Sequence, residues 1–250
     1  MSTPAPQVAL ITGGSKGIGR ACCIRLAKAG YAVAFNYQRE DGTAQETIKA
    51  VEALGGKVHG YRSDFAEGAA PARLVQRVVE DSGRLDLLVN NAAFAPTTGI
   101  EAITLEEWDQ VLNVNLRSAF FCAQAALKQM QAQGGGRMVF LSSQAGQAGG
   151  VFVGAHYVAS KAALLGLSKS FARVGARYGI LVNCISPGQI DTPLTAGFPA
   201  DKVEALRQAI PLQRMGTAEE VADVVAFLAS PASAYITGAT IPVNGGMLMT

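Results

Sequence analysis

Short apolar runs alternate with longer segments of helical period along almost the whole chain. The runs are continuously apolar, as in 8–12 and 85–90, which indicates strands buried on both faces. Strands that alternate with helices form parallel sheets that helices cover on each side, so the sequence predicts an α/β fold with a doubly wound parallel sheet. The predicted strands cover 8–12, 32–37, 57–61, 85–90, 137–142, 180–186 and 240–243. The first predicted helix begins near residue 17 and ends at the stop signal in 28–30. The other predicted helices cover 43–54, 70–82, 105–130, 157–178 and 218–229.

The length of 250 residues suits one domain of this class, and the 49% of hydrophobic residues can form its core. We expect a flexible N-terminus over 1–6 and a single domain over 7–250. One segment, about 188–216, breaks the alternation because it is long and rich in Pro, Thr and Gly. Long loops of compact domains are usually functional, so we expect this segment to be a substrate loop.

Charge and composition exclude several classes of partner. The net charge is +2 and the chain has no long Lys/Arg run, so we expect no nucleic-acid or membrane partner. The first residues lack the pattern of a signal peptide, and no apolar run is long enough to span a bilayer. The four cysteines fall in predicted helices or strands without metal-ligand spacing. This pattern indicates packed, reduced thiols, no metal site and a cytoplasmic protein.

A glycine-rich turn follows the first predicted strand. Gly13, Gly17 and Gly19 lie in Thr12-Gly-Gly-Ser-Lys-Gly-Ile-Gly19, where the first predicted helix begins. Glycine permits a tight turn, and a helix N-terminus offers free N–H groups and partial positive charge to a pyrophosphate. The turn therefore predicts a dinucleotide site. Because the spacing differs from G-x-G-x-x-G, an ordinary glycine-rich turn is the alternative.

The end of the second predicted strand indicates which dinucleotide binds. An acidic residue there would bind the ribose hydroxyls of NAD, whereas a basic residue would bind the 2′-phosphate of NADP. Tyr37 occupies the position expected for the acid, Arg39 follows it, and Lys16 projects from the glycine-rich turn. We therefore expect NADP(H) to be preferred over NAD(H), although Glu40 and Asp41 could compete for Arg39.

Tyr157 and Lys161 share one face of a predicted helix, because residues i and i+4 lie above one another. The ammonium group would favour the phenolate and lower the pKa of Tyr157, and an oxidised nicotinamide ring would add a second positive charge. Tyr157 could then act as general acid in reduction and as general base in oxidation. The alternative is an exposed pair without a role.

Two further polar residues favour the catalytic interpretation. Ser143 follows the fifth predicted strand, where it could hydrogen-bond a substrate oxygen or could be a simple turn or N-cap serine. Asn115 lies within a long apolar helix, where a buried amide needs partners. It could hold a water that links Lys161 to solvent, or it could accompany a kink.

Together these motifs resemble the short-chain dehydrogenase/reductase family over essentially the whole chain. The resemblance implies a single-domain Rossmann fold, with seven parallel strands in the order 3-2-1-4-5-6-7, and a homotetramer formed through helices 105–130 and 157–178. It also implies a catalytic tetrad of Asn115, Ser143, Tyr157 and Lys161. The matching motifs are the glycine-rich turn, Asp64, Asn90-Asn-Ala-Ala93, the tetrad, Asn183-Cys-Ile-Ser-Pro-Gly188, Thr192, and Gly238 with Asn244-Gly-Gly246.

The same resemblance implies which residues bind the cofactor. Lys161 would also bind the nicotinamide ribose, Asp64 would contact the adenine, and Thr192 would hydrogen-bond the carboxamide. The full set comprises Gly13, Ser15, Lys16, Gly17, Ile18, Gly19, Tyr37, Arg39, Asp64, Phe65, Asn91, Ala92, Tyr157, Lys161, Pro187, Gly188, Ile190 and Thr192.

Within the family, the chain resembles 3-oxoacyl-[acyl-carrier-protein] reductases. This implies a small-molecule carbonyl or alcohol substrate, including an acyl chain held as a thioester. Lys169, Arg173 and Arg177 could dock the acidic carrier protein, or they could form a solvated helix face. The expected pocket residues are Phe94, Ser143, Gln144, Phe152, Val153, Gln189, Leu194 and Phe198.

Two alternative functions follow from other features. A sugar or polyol dehydrogenase of the same family would use polar side chains around Gln144, Gln147 and Gln189. A non-catalytic NADP-sensing protein is the alternative of another class, because a fold does not fix a function. The segment before Tyr157 is also slightly long for the family and carries Phe152 and His156, which would reshape the pocket.

Overall fold

The computed structural model describes residues 5–150, 152–192 and 200–249. The strands are β1 (Val8–Ile11), β2 (Ala32–Tyr37), β3 (Val58–Arg62), β4 (Leu87–Asn90), β5 (Gly136–Leu141), β6 (Ile180–Pro187), β7 (Ile190–Asp191), β8 (Gly216–Thr217) and β9 (Thr240–Val243). Seven of them form one parallel sheet in the order β3-β2-β1-β4-β5-β6-β9, and β7 pairs with β8 in a separate small sheet. The order expected for the seven main strands is therefore confirmed.

Helices connect the strands and cover both faces of the sheet. They are α1 (Gly17–Lys28), α2 (Thr43–Glu52), α3 (Ala70–Ser82), α4 (Leu105–Leu112), α5 (Ser118–Ala132), α6 (Ala145–Ala148), α7 (Ala155–Gly175), α8 (Ala200–Ala209) and α9 (Ala218–Ala229). Because every main strand is parallel, all of their carboxyl ends meet at one edge of the sheet.

Successive side chains of the central strands enter different halves of the core, since neighbouring residues in a strand point to opposite faces. Leu10 and Leu88 pack in the layer with α3, α5 and α7, whereas Ile11 and Val89 pack in the layer with α1 and α9. All four side chains are fully buried. The continuously apolar strand sequences therefore correctly predict a sheet covered on both faces.

The single helix expected over 105–130 is wrong, because a π-helical turn at Asn113–Arg117 separates α4 from α5. Asn115 lies in this turn, where its side-chain amide bonds to the backbone of Phe94 and to Ser160. Such wide turns often occur at functional sites. An apolar period of 3.6 residues does not reveal one locally wider turn, so the sequence alone predicts an uninterrupted helix.

The irregular loop expected over 188–216 is also wrong in part, because the segment contains α8 and both short strands. The ten residues of α8 include neither Gly nor Pro and are rich in helix-forming Ala, Leu, Glu and Arg. Pro, Thr and Gly on each side of the helix obscure this signal in the sequence. Residues 193–199, with the expected pocket residues Leu194 and Phe198, lie outside the described residues.

All four cysteines are free and buried, as the sequence predicts. Burial raises the pKa of the Cys22 thiol to about 12, so this side chain stays protonated and packs like a small apolar residue. Across the described ranges, no helix combines the length and the apolar character needed to cross a membrane.

Candidate active site

The expected site residues gather at the carboxyl edge of the sheet. The glycine-rich turn follows β1, Tyr37 ends β2, and Asp64 follows β3. Asn91 follows β4, and Ser143 follows β5. The remaining segment, Pro187 to Thr192, begins at the end of β6. The fold therefore brings together positions that are spread over most of the chain.

The glycine-rich turn is held from the β2 side. The backbone N–H of Gly13 donates to Asn36 Oδ1 at 2.7 Å, and Asn36 Nδ2 donates to the Ser63 carbonyl at 3.1 Å. Gly13 has a φ of +68°, a conformation that favours glycine. Asn36 is almost fully buried in β2, so its amide fixes the turn relative to two strands. Asn36 is not among the site residues predicted above, although a polar residue inside an apolar strand is a signal for such a role.

The same turn is also held from the β4 side. Asn91 Nδ2 donates to the carbonyls of Thr12 and Gly13 at 2.8 and 3.1 Å. Thr12 Oγ1 accepts hydrogen bonds from the backbone N–H groups of Asn91 and Ala92 at 2.9 and 3.0 Å. The side chain of Asn91, expected at the cofactor, is thus engaged in shaping the turn. Thr12 begins the predicted motif, but its role in holding the turn was not predicted.

The first turn of α1 fits the diphosphate of a dinucleotide. Lys16 precedes the helix without making a side-chain cap, and no acidic residue lies in the first turn. The first N–H groups of a helix lack partners within it, so here they are available to an anion. A Cβ atom on Gly19 would lie 2.1 Å from the Gly13 carbonyl oxygen, which shows how closely the helix approaches the turn.

The segment that follows β2 contains one basic side chain and two carboxylates. Tyr37 ends the strand, and exposed Arg39 forms no ion pair within the described part of the chain. Glu40 lies 3.4 Å from Arg62 instead. Asp41 is bound by Thr43, which is the main reason for its lowered pKa, and Lys16 lowers it further. The two carboxylates that could compete for Arg39 are therefore engaged elsewhere.

Tyr157 and Lys161 lie in the first half of α7 and are both buried. Ser143 and Tyr157 share a side-chain hydrogen bond. Lys161 Nζ donates to the Leu141 carbonyl at 2.7 Å and lies 5.7 Å from the centre of the Tyr157 ring. The structure thus brings Ser143, Tyr157 and Lys161 together and rules out the alternative of an exposed Tyr–Lys pair.

The pKa shifts differ from the sequence expectation. Burial raises the pKa of Tyr157, and the hydrogen bond with Ser143 only partly opposes this effect. The prediction that Lys161 lowers the pKa of Tyr157 is therefore wrong, because burial dominates and raises it. Burial also lowers the pKa of Lys161 from 10.5 to about 8. Burial thus shifts the pKa values of these two neighbouring groups in opposite directions. The raised pKa of Tyr157 favours an uncharged phenol at neutral pH.

Asn115 is connected to Tyr157 only through Ser160. Its Oδ1 accepts from the Phe94 N–H at 2.7 Å, and its Nδ2 donates to the Phe94 carbonyl and to Ser160 Oγ, both at 3.0 Å. Ser160 Oγ in turn donates to the Tyr157 carbonyl at 2.7 Å. Both amide hydrogens of Asn115 are therefore used within the protein, and the side chain connects the Phe94 segment to α7.

Polar side chains surround the expected substrate position. Ser186 Oγ donates to Gln147 Oε1 at 2.6 Å, and Gln144 Nε2 lies 3.0 Å from Met247 Sδ. Gln144 Oε1 is buried and has no hydrogen-bond partner within the part of the chain that the structure describes. Phe94 is 37% exposed, while Phe152, Val153 and Gln189 are half-buried. The described residues expected around the substrate thus include apolar side chains and the buried amide of Gln144, whose oxygen lies against Gly188.

Comparisons with known proteins agree with this geometry. Residues 13–248 match the family model described as enoyl-(acyl carrier protein) reductase. The chain is 39% identical to a 3-oxoacyl-[acyl-carrier-protein] reductase FabG of Staphylococcus epidermidis, over 96% of this chain and 98% of that protein. It is 38% identical to a 3-oxoacyl-[acyl-carrier-protein] reductase of Synechocystis over the full length of both chains.

A solved structure gives the same result. A short-chain dehydrogenase/reductase from Serratia marcescens superposes with a TM-score of 0.90 at 39% identity, over 97% of this chain and 98% of that one. Fold, site and relatives define an NAD(P)-dependent oxidoreductase that acts on CH–OH and C=O groups. The chain belongs to the short-chain dehydrogenase/reductase family.

Proposed function

We propose that this protein is an NADP(H)-dependent reductase that interconverts a ketone and a secondary alcohol, with 3-oxoacyl thioesters of acyl carrier protein as substrates. The buried Tyr157 phenol, hydrogen-bonded to Ser143 and next to Lys161, is the observation that carries this proposal. The names of the relatives from Staphylococcus and Synechocystis support the substrate class.

The backbone of the glycine-rich turn and the first turn of α1 would hold the diphosphate of the cofactor, and Lys161 would bind the ribose next to the nicotinamide. When bound, the nicotinamide supplies a hydride to the carbonyl carbon or accepts one from the alcohol. Ser143 would donate a hydrogen bond to the substrate oxygen as negative charge develops there. Tyr157 would give its phenolic proton to that oxygen in reduction and remove it in oxidation.

Burial of Tyr157 favours the reductive direction. Because burial raises its pKa, the phenol keeps its proton at neutral pH and is ready to act as an acid. Lys161 can take part in returning a proton, since its own pKa is lowered to about 8 and lies near working pH. Asn115 would support both groups by holding Ser160, whose hydroxyl binds the Tyr157 carbonyl.

The preference for NADP(H) rests on the charges after β2. Arg39 is exposed and forms no ion pair among the described residues, and Lys16 is exposed on the glycine-rich turn. Guanidinium and ammonium groups bind phosphate with charge-assisted hydrogen bonds. Tyr37, in the place of an acid, would not repel a 2′-phosphate.

Three cations, two on α7 and one in the turn that follows it, favour an acidic partner. Lys169, Arg173 and Arg177 follow one another at intervals of four residues, and all three are exposed. Within the described ranges none of them forms an ion pair, while Arg177 lies over the Tyr178 ring at 4.8 Å. We propose that this row can attract the acidic carrier protein, an effect that salt would weaken.

A polyol or sugar dehydrogenase is the second candidate, and one observation favours it. The buried Oε1 of Gln144 has no partner in the described part of the chain, and a rotation of this side chain toward the ligand would let it accept a hydrogen bond from a donor there. A hydroxyl group next to the reacting carbon would supply such a donor. An acyl thioester offers no hydroxyl there before reduction.

One assay separates these candidates. We would follow oxidation of NADPH, and in parallel of NADH, with an acetoacetyl thioester, a crotonyl thioester and a keto sugar. We expect the acetoacetyl thioester to be reduced with NADPH and not with NADH. Reduction of the crotonyl thioester would instead match the enoyl reductase name of the family model. Turnover of the keto sugar only would replace the proposed substrate with the second candidate.

We also propose that the protein is a cytoplasmic homotetramer. The expected interface helices are α5, together with α4, and α7, as in the family that the sequence resembles. Light scattering of the purified protein would test this assembly, and a monomer of 25.9 kDa would contradict it.

A further inference from the structure

We propose that His156, held by Glu107, is a positioning residue that fixes the first turn of α7 and thereby the phenol of Tyr157. This inference rests on the proposed function, because it takes Tyr157 as the proton donor. His156 does not touch the expected substrate position. It acts through the backbone of the residue that does.

The first turn of α7 lacks an ordinary cap. The helix begins at Ala155, and Gly154 precedes it without any side-chain capping bond. The first N–H groups of a helix need partners from outside it, and a buried N–H without one is costly. Here His156 Nδ1 accepts the N–H of Tyr157 at 3.0 Å. The imidazole thus replaces the missing cap at the N–H of the proposed catalytic tyrosine itself.

The hydrogen bonds define the tautomer of His156. A backbone N–H can only donate, so Nδ1 must be unprotonated. Nε2 then carries the ring proton and donates it to Glu107 Oε1 at 2.7 Å. The ring is fully buried, and each of its nitrogens has one partner. Neutral His156 is therefore held at both ends, and it could not rotate without losing two hydrogen bonds.

Glu107 is itself fixed. It lies in the first turn of α4, where its backbone N–H donates to Thr104 Oγ1 at 3.2 Å. Hydrogen bonds from Thr98, and secondly from His156, hold the pKa of Glu107 below its usual range. The carboxylate is ionised at neutral pH and remains a strong acceptor for the imidazole N–H.

The position of the His156 ring also requires a glycine at residue 154. A Cβ atom on Gly154 would lie 2.2 Å from His156 Cε1, so only glycine lets the imidazole pack against this turn. Gly154 in turn donates its N–H to the Pro96 carbonyl at 2.9 Å. His156 and Glu107 therefore join three segments: the start of α7, the start of α4, and the stretch from Pro96 to Thr98.

Two substitutions of His156 separate the contributions of its two ring nitrogens. In His156→Asn the amide oxygen can occupy the place of Nδ1 and still accept the Tyr157 N–H, whereas His156→Gln can reach Glu107 but leaves that N–H without an acceptor. We expect His156→Asn to retain most of the turnover number. We expect His156→Gln to lose about tenfold, the equivalent of one hydrogen bond. The KM values and the affinity for NADPH should stay the same in both.

Glu107 provides a second test that leaves His156 intact. Glu107→Gln keeps an oxygen acceptor and should have nearly normal turnover, while Glu107→Leu removes it and should lower turnover by up to about tenfold. Glu106→Leu is the matched control, because Glu106 is exposed in the same helical turn and should have no effect. If the His156 variants fail to fold, the Glu107 variants still test the proposal.

Two results would overturn the inference. One is normal turnover in both His156→Gln and Glu107→Leu. The other is a loss of turnover that only follows a loss of folded protein or of NADPH binding, since this would show a purely structural role. Tyr157→Phe, measured alongside, distinguishes a failure of the proposed function itself: if this variant stays active, the function is wrong, and not merely the role of His156.

Discussion

The two halves of the site are built differently. In the cofactor half, Asn36 and Asn91 bind backbone atoms of the glycine-rich turn, so the shape of the main chain forms the binding surface. In the proposed catalytic half, the side chains of Ser143, Tyr157 and Lys161 would themselves be the working groups. The first half should therefore be sensitive to added volume and the second to lost polar atoms. Substitutions in each half can test this difference.

The largest effect is expected from Tyr157→Phe, which removes one oxygen atom from the catalytic half. The rate of reduction should fall by roughly 10²- to 10⁴-fold, the usual contribution of a general acid. Binding of NADPH should persist, because the cofactor half is unchanged. Steady-state rates and fluorescence titration with NADPH would measure the two quantities. A variant that keeps most of its rate would contradict the proposed acid.

Lys161→Met tests the burial of charge in the same half. Below about pH 8 folded and unfolded protein both bind the proton, so the cost of burying the ammonium lowers the stability by a constant amount. Between about 8 and 10.5 the unfolded protein binds it more, so the wild type should gain stability relative to the variant as pH rises. The full gain is roughly 3 kcal/mol.

Urea unfolding of wild type and Lys161→Met, at about pH 7 and about pH 10, measures this change. The hydrogen bond that Leu141 loses in the variant is missing at both values, so it cancels to a first approximation. Parallel pH profiles of the two proteins would show that the pKa of Lys161 is not lowered.

Gly19→Ala tests the cofactor half by adding one methyl group. Its Cβ would lie 2.1 Å from the Gly13 carbonyl oxygen and 2.7 Å from Asn91 Nδ2, so the turn must shift. We expect a loss of about 1–3 kcal/mol in the free energy of unfolding and weaker NADPH binding. Gly68→Ala is the control, because Gly68 has open space around it. Equal behaviour of the two variants would contradict a cradle of fixed shape.

The smallest effect is expected from Arg39→Ala, which alters specificity and not assembly of the site. The KM for NADPH should rise about tenfold while the KM for NADH stays the same, since one charged hydrogen bond is lost. Arg62→Ala is the control, because Arg62 is also exposed but lies next to Glu40. If both variants leave the ratio of the two KM values unchanged, NADP(H) selectivity does not depend on Arg39.

Much of the fold could be predicted because its signals are local. Apolar runs such as the one at Leu87–Asn90 indicate buried strands, and the helix α3 was expected with the bounds that it has. The π-helical turn around Asn115 and the helix α8 were not predicted. Asn115 obtains its partners from residues 21 and 45 positions away, and no periodicity contains that information.

The sequence by itself determined the alternation of strands and helices, the glycine-rich turn, and the spacing that places Tyr157 and Lys161 on one helical face. These are consequences of backbone geometry over a few residues. Only the tertiary structure decided that Tyr157 has a raised pKa, and that His156 meets Glu107 from 49 positions away. Burial and contacts between distant segments depend on how the whole chain packs, and they set the electrostatics of the site.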